Sequence, residues 1–147
     1  MNFSSKIIAA GLICAAGVAF AKEGVQNPVV KTRMDTMGVI RANTGILGDM
    51  AGGKAAFDAD KAAEAAAALA AAANTIPQVF EANETDPVSE AKPEIWANFD
   101  DFSTKADALY KAAQAVDTSS LDTLKAGMGG VGGACKECHT TYRIQTN

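Results

Sequence analysis

Two thiols and the only histidine of the chain fall within five residues, Cys135-Lys136-Glu137-Cys138-His139. On a helix, positions three and four apart share a face, so both sulfurs and the imidazole of His139 would be presented together. The spacing matches covalent attachment of haem c. Each thiol adds to one vinyl group of the macrocycle, and His139 supplies the proximal nitrogen to iron.

Three other chemistries use the same residue types. Structural zinc needs four protein ligands, and apart from Cys14 in the leader the chain has no further Cys or His to complete a set. A three-ligand catalytic zinc packed into five residues would leave the rest of the protein without a role. A redox dithiol belongs at the start of a helix in a strand-helix-strand context, which is absent here. A plain disulfide between Cys135 and Cys138 leaves His139 unexplained.

The first 21 residues, MNFSSKIIAAGLICAAGVAFA, carry one basic residue, Lys6, an apolar run over 7–20 and a small-x-small ending at Ala19-Phe20-Ala21. This is the pattern of a secretory signal peptide, too short and wrongly flanked for a membrane span. Cleavage is expected after Ala21 and discards Cys14, which follows Ile13 and not the small residue that precedes a lipidated cysteine. Residues 22–147 then form one domain of 126 residues with its own core. The full chain has 13 basic and 17 acidic residues, and the leader removes only Lys6, so the exported chain has a net charge of −5. That balance argues against nucleic acid or an anionic membrane as partner and suits a basic redox partner protein. Export, expected to the periplasm, is to an oxidising compartment where Cys135 and Cys138 must be committed to a bond.

Helices must position these groups, because apolar residues recur at alternating three and four spacing and no segment alternates with period two. The first seam is Val30, Met34, Met37, Ile40, Thr44, Leu47; it fades at Gly48, Gly52 and Gly53, a helix end and turn, with Met50 past that end. A second helix begins at the N-cap Asp58 and runs through the alanine-rich stretch 62–73 toward Ile76 and Pro77. That stretch reads as high helix propensity with a flat face, and it is too short for a membrane span. Residues 83–93, NETDPVSEAKP, form the one sizeable loop. The third seam is Ile95, Phe99, Phe102, Ala106, Leu109, Ala113, Val116, with Trp96 beside it. Ser119 or Ser120 caps the last helix, whose seam is Leu121, Leu124, Met128, Val131, Cys135, Cys138, Tyr142. The expected fold is all-α, an antiparallel up-down-up-down four-helix bundle with haem c in the bundle near the C-terminal helix.

Gly127-Met128-Gly129-Gly130-Val131-Gly132 spells GxGxxG, but no strand precedes it and no βαβ unit surrounds it, so dinucleotide binding is rejected. The glycines are expected to let the macrocycle and a neighbouring helix approach the backbone. Five glycines in a helix interior cost about 4–5 kcal/mol relative to alanine, which thioether bonds and macrocycle burial would offset. The chain without haem is expected to be poorly folded. Since His139 is unique, the sixth iron ligand is a methionine, a lysine, water or nothing. Met128 lies on the helix of His139 and cannot reach the opposite haem face, which leaves Met34 and Met37 on the first helix as distal candidates.

CKECH followed by Thr140-Thr141-Tyr142-Arg143, Lys31-Thr32-Arg33 with Met37 one turn later, and Ile95-Trp96-Ala97-Asn98-Phe99-Asp100-Asp101-Phe102 together resemble the class II c-type cytochromes, specifically cytochrome c′. The resemblance covers essentially the whole exported chain; mitochondrial-type cytochromes c carry the haem motif near the N-terminus instead. It implies that Arg33 lies near a haem propionate, that Arg143 flanks the proximal face, that Trp96 is an aromatic near the haem pocket, and that Met37 is the distal residue, as a blocker or as an axial ligand. It implies electron transfer or binding of nitric oxide or carbon monoxide at a five-coordinate, high-spin haem, with a low-spin carrier ligated by Met37 as the alternative, and no substrate-converting activity. A homodimer through the first two helices is also implied.

Overall fold

A computed structural model describes residues 23–145; the expected leader at 1–21, with Cys14 and the cleavage point after Ala21, lies outside them. The elements are α1 (Pro28–Ala51), α2 (Ala59–Asn74), the short α3 (Ile76–Phe80) and α4 (Glu94–Ala97), α5 (Phe99–Gln114) and α6 (Leu121–Tyr142). The four long helices form the antiparallel bundle that the seams predict. α1 packs on α2 and α6, and α5 packs on the same two, which closes the square.

Local chemistry sets the helix ends. The Asn27 side chain accepts from the Val29 and Val30 amides to cap α1, with Pro28 in the first turn, where its missing N–H is no loss. Asp58 caps α2 by accepting from the Lys61 amide, and Ser120 caps α6 through a capping box with Thr123. α1 continues through Gly48 to Ala51, and Gly53 then turns the chain at φ +75°, a conformation that favours glycine. Met50 therefore lies inside the last turn of α1, 4% exposed in the core, and not beyond the helix as the glycines suggested. Two expected continuous segments are interrupted. Thr75 separates α2 from α3, where Pro77 can only sit in a first turn, and Asn98 separates α4 from α5.

Leu47, Leu69, Ile95 and Leu124 are among the largest fully buried side chains. The inward face of α2 is Ala62, Ala65, Ala66, Leu69 and Ala73, so the alanine run serves the interior with small side chains. At one end of the bundle Phe102 gathers Phe80, Phe99 and Tyr142, with ring centroids 5.1, 5.9 and 5.4 Å away, the last pair edge to face. The loop between α3 and α4 closes the same end. The Asp86 carboxylate accepts from the Gln26 and Asn27 amides at 2.8 and 2.9 Å, and the Ile144 amide donates to the Glu90 carbonyl at 2.8 Å.

Of the α6 glycines expected to admit close neighbours, Gly127 does so, because a Cβ there would stand 3.3 Å from the Val116 Cα. Gly129, Gly132 and Gly133 face open space. Gly129→Ala should raise stability by about 0.5–1 kcal/mol through helix propensity, whereas Gly127→Ala should lower it because the Val116 backbone has to move. Thermal unfolding of the two variants checks this by the opposite signs of their shifts.

Candidate functional site

Between α1, α5 and α6 the bundle encloses a cavity of about 660 Å³, within the roughly 300–1,000 Å³ typical of cofactor and ligand sites. α6 is one uninterrupted helix, so Cys135, Cys138 and His139 emerge on one stripe of it, between the buried anchors Val131 and Tyr142. α1 brings Met34 and Met37 to the same cavity. Most of the remaining lining is apolar, including Ile40, Phe80, Phe102, Ala106 and Leu109.

Both cysteines are free and half-buried. Burial pushes the Cys135 thiol up, and it pushes Cys138 up to about 11 against the lowering pull of Lys105. Thiols held in the protonated form differ from the low-pKa cysteines of redox dithiols, and this weakens that rival chemistry. Burial, followed by the charge of Arg143, lowers His139 and keeps its imidazole neutral, the form that binds a metal. Two thiols and a neutral imidazole on one wall of an apolar cavity, with thioethers reaching it from α1, fit haem c.

Arg33 reaches this cavity but is only 2% exposed, and its hydrogen bonds run elsewhere. Nε donates to the Val79 carbonyl at 3.0 Å and Nη1 to the Glu84 carbonyl at 2.8 Å, while Nη2 donates to the Ala82 carbonyl. The guanidinium lies 5.1 Å from the Phe80 ring centroid and 5.0 Å from that of Trp96. Backbone carbonyls thus take three of the donors that the resemblance directs toward a carboxylate. Trp96, expected near the pocket, stands behind Arg33 and does not line the cavity; its Nε1 donates to the Phe80 carbonyl at 2.8 Å.

Arg143 lines the cavity beside His139, and its Nε and Nη2 donate to Glu90 at 2.8 and 2.6 Å. Among the lining residues that escaped the sequence reading, three are polar side chains on the long helices. Lys105 of α5 donates to Glu137 at 2.8 Å. Arg41, four residues after Met37, is exposed at the cavity edge. Thr44, counted as part of the core seam, has a shielded hydroxyl. Helical spacing from Met37 was the available signal for Arg41 and Thr44, whereas nothing local marks Lys105.

The cytochrome C′ family model matches residues 28–143. Cytochrome c-556 of Agrobacterium fabrum is 34% identical over 139 residues, covering 92% of this chain and 90% of that protein. Among solved structures, cytochrome c′ from Rhodobacter spheriodes superposes with a TM-score of 0.75 at 30% identity, covering 80% of this chain and 96% of the other. A nitric oxide complex of a mutant cytochrome c prime from Alcaligenes xylosoxidans superposes with a TM-score of 0.71 at 27% identity, covering 80% and 94%.

Two outcomes follow from the geometry. Arg33→Met should lower stability by about 2–3 kcal/mol, because the Val79 and Glu84 carbonyls lose their side-chain donor and the Ala82 carbonyl keeps only the Glu84 amide; urea unfolding measures it. The Tyr142 hydroxyl donates to the Asp101 Oδ2 at 2.6 Å, and that bond, followed by burial, raises Tyr142 to about 12. An acid raised on folding stabilises the folded state below its unfolded pKa of about 10 and loses that contribution as pH climbs through the folded value. The stability advantage of the natural chain over Tyr142→Phe should therefore be constant up to about pH 9 and shrink toward pH 12, as read by urea unfolding across that range.

Proposed function

The chain belongs to the cytochrome c′ family, and on that premise we propose that it is a periplasmic monohaem c-type cytochrome that transfers electrons or binds nitric oxide or carbon monoxide, and does not convert a substrate. The observation that carries this reading is one apolar cavity lined by Cys135, Cys138 and His139 from α6 and by Met37 from α1. Bound there, haem c supplies a one-electron couple at iron and an axial position for a small gas.

In this reading Cys135 and Cys138 anchor the macrocycle, and neutral His139 is the proximal ligand. Arg143, tied to Glu90, holds a cation beside His139 and disfavours its protonation. Met37 covers the distal side with a thioether that donates no hydrogen bond. Ile40, Ala106 and Leu109 likewise offer no donor to a bound ligand, so the cavity suits neutral diatomics better than ligands that need hydrogen bonds. Arg33, through its buried charge, holds the end of the cavity in shape. Trp96 supports the site from behind Arg33.

Nitric oxide is named for the Alcaligenes xylosoxidans relative, which supports gas binding here. A second reading is favoured by Met37 itself: a thioether that lines the cavity can take the axial position and make a low-spin electron carrier, and similarity to a cytochrome c-556 fits that reading in part. A homodimer through α1 and α2 belongs to the same proposal. Ile46 stands 44% exposed on α1, and Ala63, Ala67 and Ala71 are exposed on α2.

Visible spectra of the holoprotein, oxidised and dithionite-reduced, with and without carbon monoxide, test the proposal. A broad reduced band that sharpens with the gas is the expected outcome for an open, high-spin iron. Sharp split bands that carbon monoxide leaves unmoved assign Met37 as ligand, and Met37→Ala should then restore gas binding. A colourless product from cells competent to attach haem overturns the reading.

A further inference from the structure

Among the described residues that line the cavity, Glu90 is the only acidic one, and it stands on the side of His139 and Arg143. Backbone contacts fix its place in the loop before α4. The Ile144 amide donates to the Glu90 carbonyl at 2.8 Å, the Lys92 amide donates to the Tyr142 carbonyl at 3.0 Å, and Ala91 forms an antiparallel bridge with Arg143. The loop is thereby laid against the end of α6, about one turn beyond His139.

The two oxygens of this carboxylate are not used alike. Nε and Nη2 of Arg143 both donate to Oε2, at 2.8 and 2.6 Å, and among the described residues nothing donates to Oε1. Positions 139 and 143 are four apart, so the arginine that grips Oε2 holds the carboxylate next to the imidazole. The hydrogen bonds of residue 139 are made by its carbonyl, which accepts from the Arg143 amide and from Gln145. A neutral imidazole that gives one nitrogen to a metal carries its proton on the other, and that N–H needs an acceptor. Burial and then Arg143 act against a proton on His139, and Glu90 is the charge that acts the other way.

We propose that Glu90 accepts, through Oε1, the remaining ring N–H of iron-bound His139; the inference rests on the haem reading above. Histidines that ligate metals ordinarily give this N–H to a carboxylate, carbonyl or water, and the acceptor fixes the ring and raises its basicity. A carboxylate is the strongest of these, since the bond is charge-assisted. An imidazole polarised toward the anion binds ferric iron better than ferrous. Glu90 therefore tightens the bond from iron to His139 and lowers the potential, and Arg143, sharing the same carboxylate, limits both effects. An acidic side chain in an otherwise apolar lining is accounted for by this role.

The test uses the holoprotein with Glu90→Ala and Glu90→Gln, read by the iron–histidine stretching band in resonance Raman spectra of the ferrous, five-coordinate state and by the midpoint potential. If Met37 proves to be the sixth ligand, the same comparison is made in a Met37→Ala background. Glu90→Ala is expected to move the band to lower frequency and the potential upward. Glu90→Gln should give a smaller shift of the band in the same direction, because its amide oxygen still accepts but carries no charge. The Arg143–Glu90 pair is partly exposed, so losing it costs little stability and both variants should fold. A raised potential with an unmoved band would mean that Glu90 acts only as a charge through space, and would overturn the hydrogen bond; so would no change in either. Both results leave the haem reading standing, whereas natural chain that attaches no haem overturns that reading and this inference with it.

Discussion

A guanidinium that is only 2% exposed has to find its partners inside the protein, because a buried and unpaired charge costs more than any single packing contact can offset. Arg33 finds them in the carbonyls of Val79, Ala82 and Glu84 and in the rings of Phe80 and Trp96. Those carbonyls belong to the end of α3 and the turn after it, where the chain has left one helix and not yet begun the next, so they have no helical donors of their own. One side chain on α1 therefore decides where the chain runs after α3. It also places Phe80 against the aromatic cluster and Trp96 behind the cavity.

The rest of that end follows. Once residues 79–84 are held, Asp86 meets the amides at the start of α1, and Glu90 meets Arg143 just past α6. The start of α1 and the end of α6 are thereby tied to one loop, and the wall that carries His139 is fixed relative to the wall that carries Met37. In a haem site the distance between those two walls decides whether a thioether is a ligand or a lid. The electrostatics of the rim are settled in the same way, since Arg33, Lys105 and Arg143 are each committed to carbonyl or carboxylate oxygens of the chain itself.

α6 carries a tension between helix formation and packing. Its glycines weaken the helix, but only at Gly127 does a neighbouring backbone come close enough to require one. The helix persists because Leu124, Val131 and Tyr142 are buried along its inner stripe and because its start is closed by a capping box. Burial of that stripe is also what raises the thiols of Cys135 and Cys138 and keeps His139 neutral, so the packing that holds the helix prepares the groups it presents.

What the sequence by itself determined was local or periodic. The CKECH spacing places two thiols and an imidazole on one helix face, the three-four seams specify four packed helices, and Asp58 and Ser120 cap where their own side chains reach the next turn. These depend on residues within about one or two turns of one another. Where Arg33 and Trp96 direct their polar groups was decided only by tertiary structure. The partners of Arg33 lie 46 to 51 residues away, and the partner of Trp96 sits across the break between α3 and α4. A seam tells which side of a helix faces inward, but it does not distinguish a side chain that faces core from one that faces a cavity, because both lie on the same stripe until the neighbouring helices are in place.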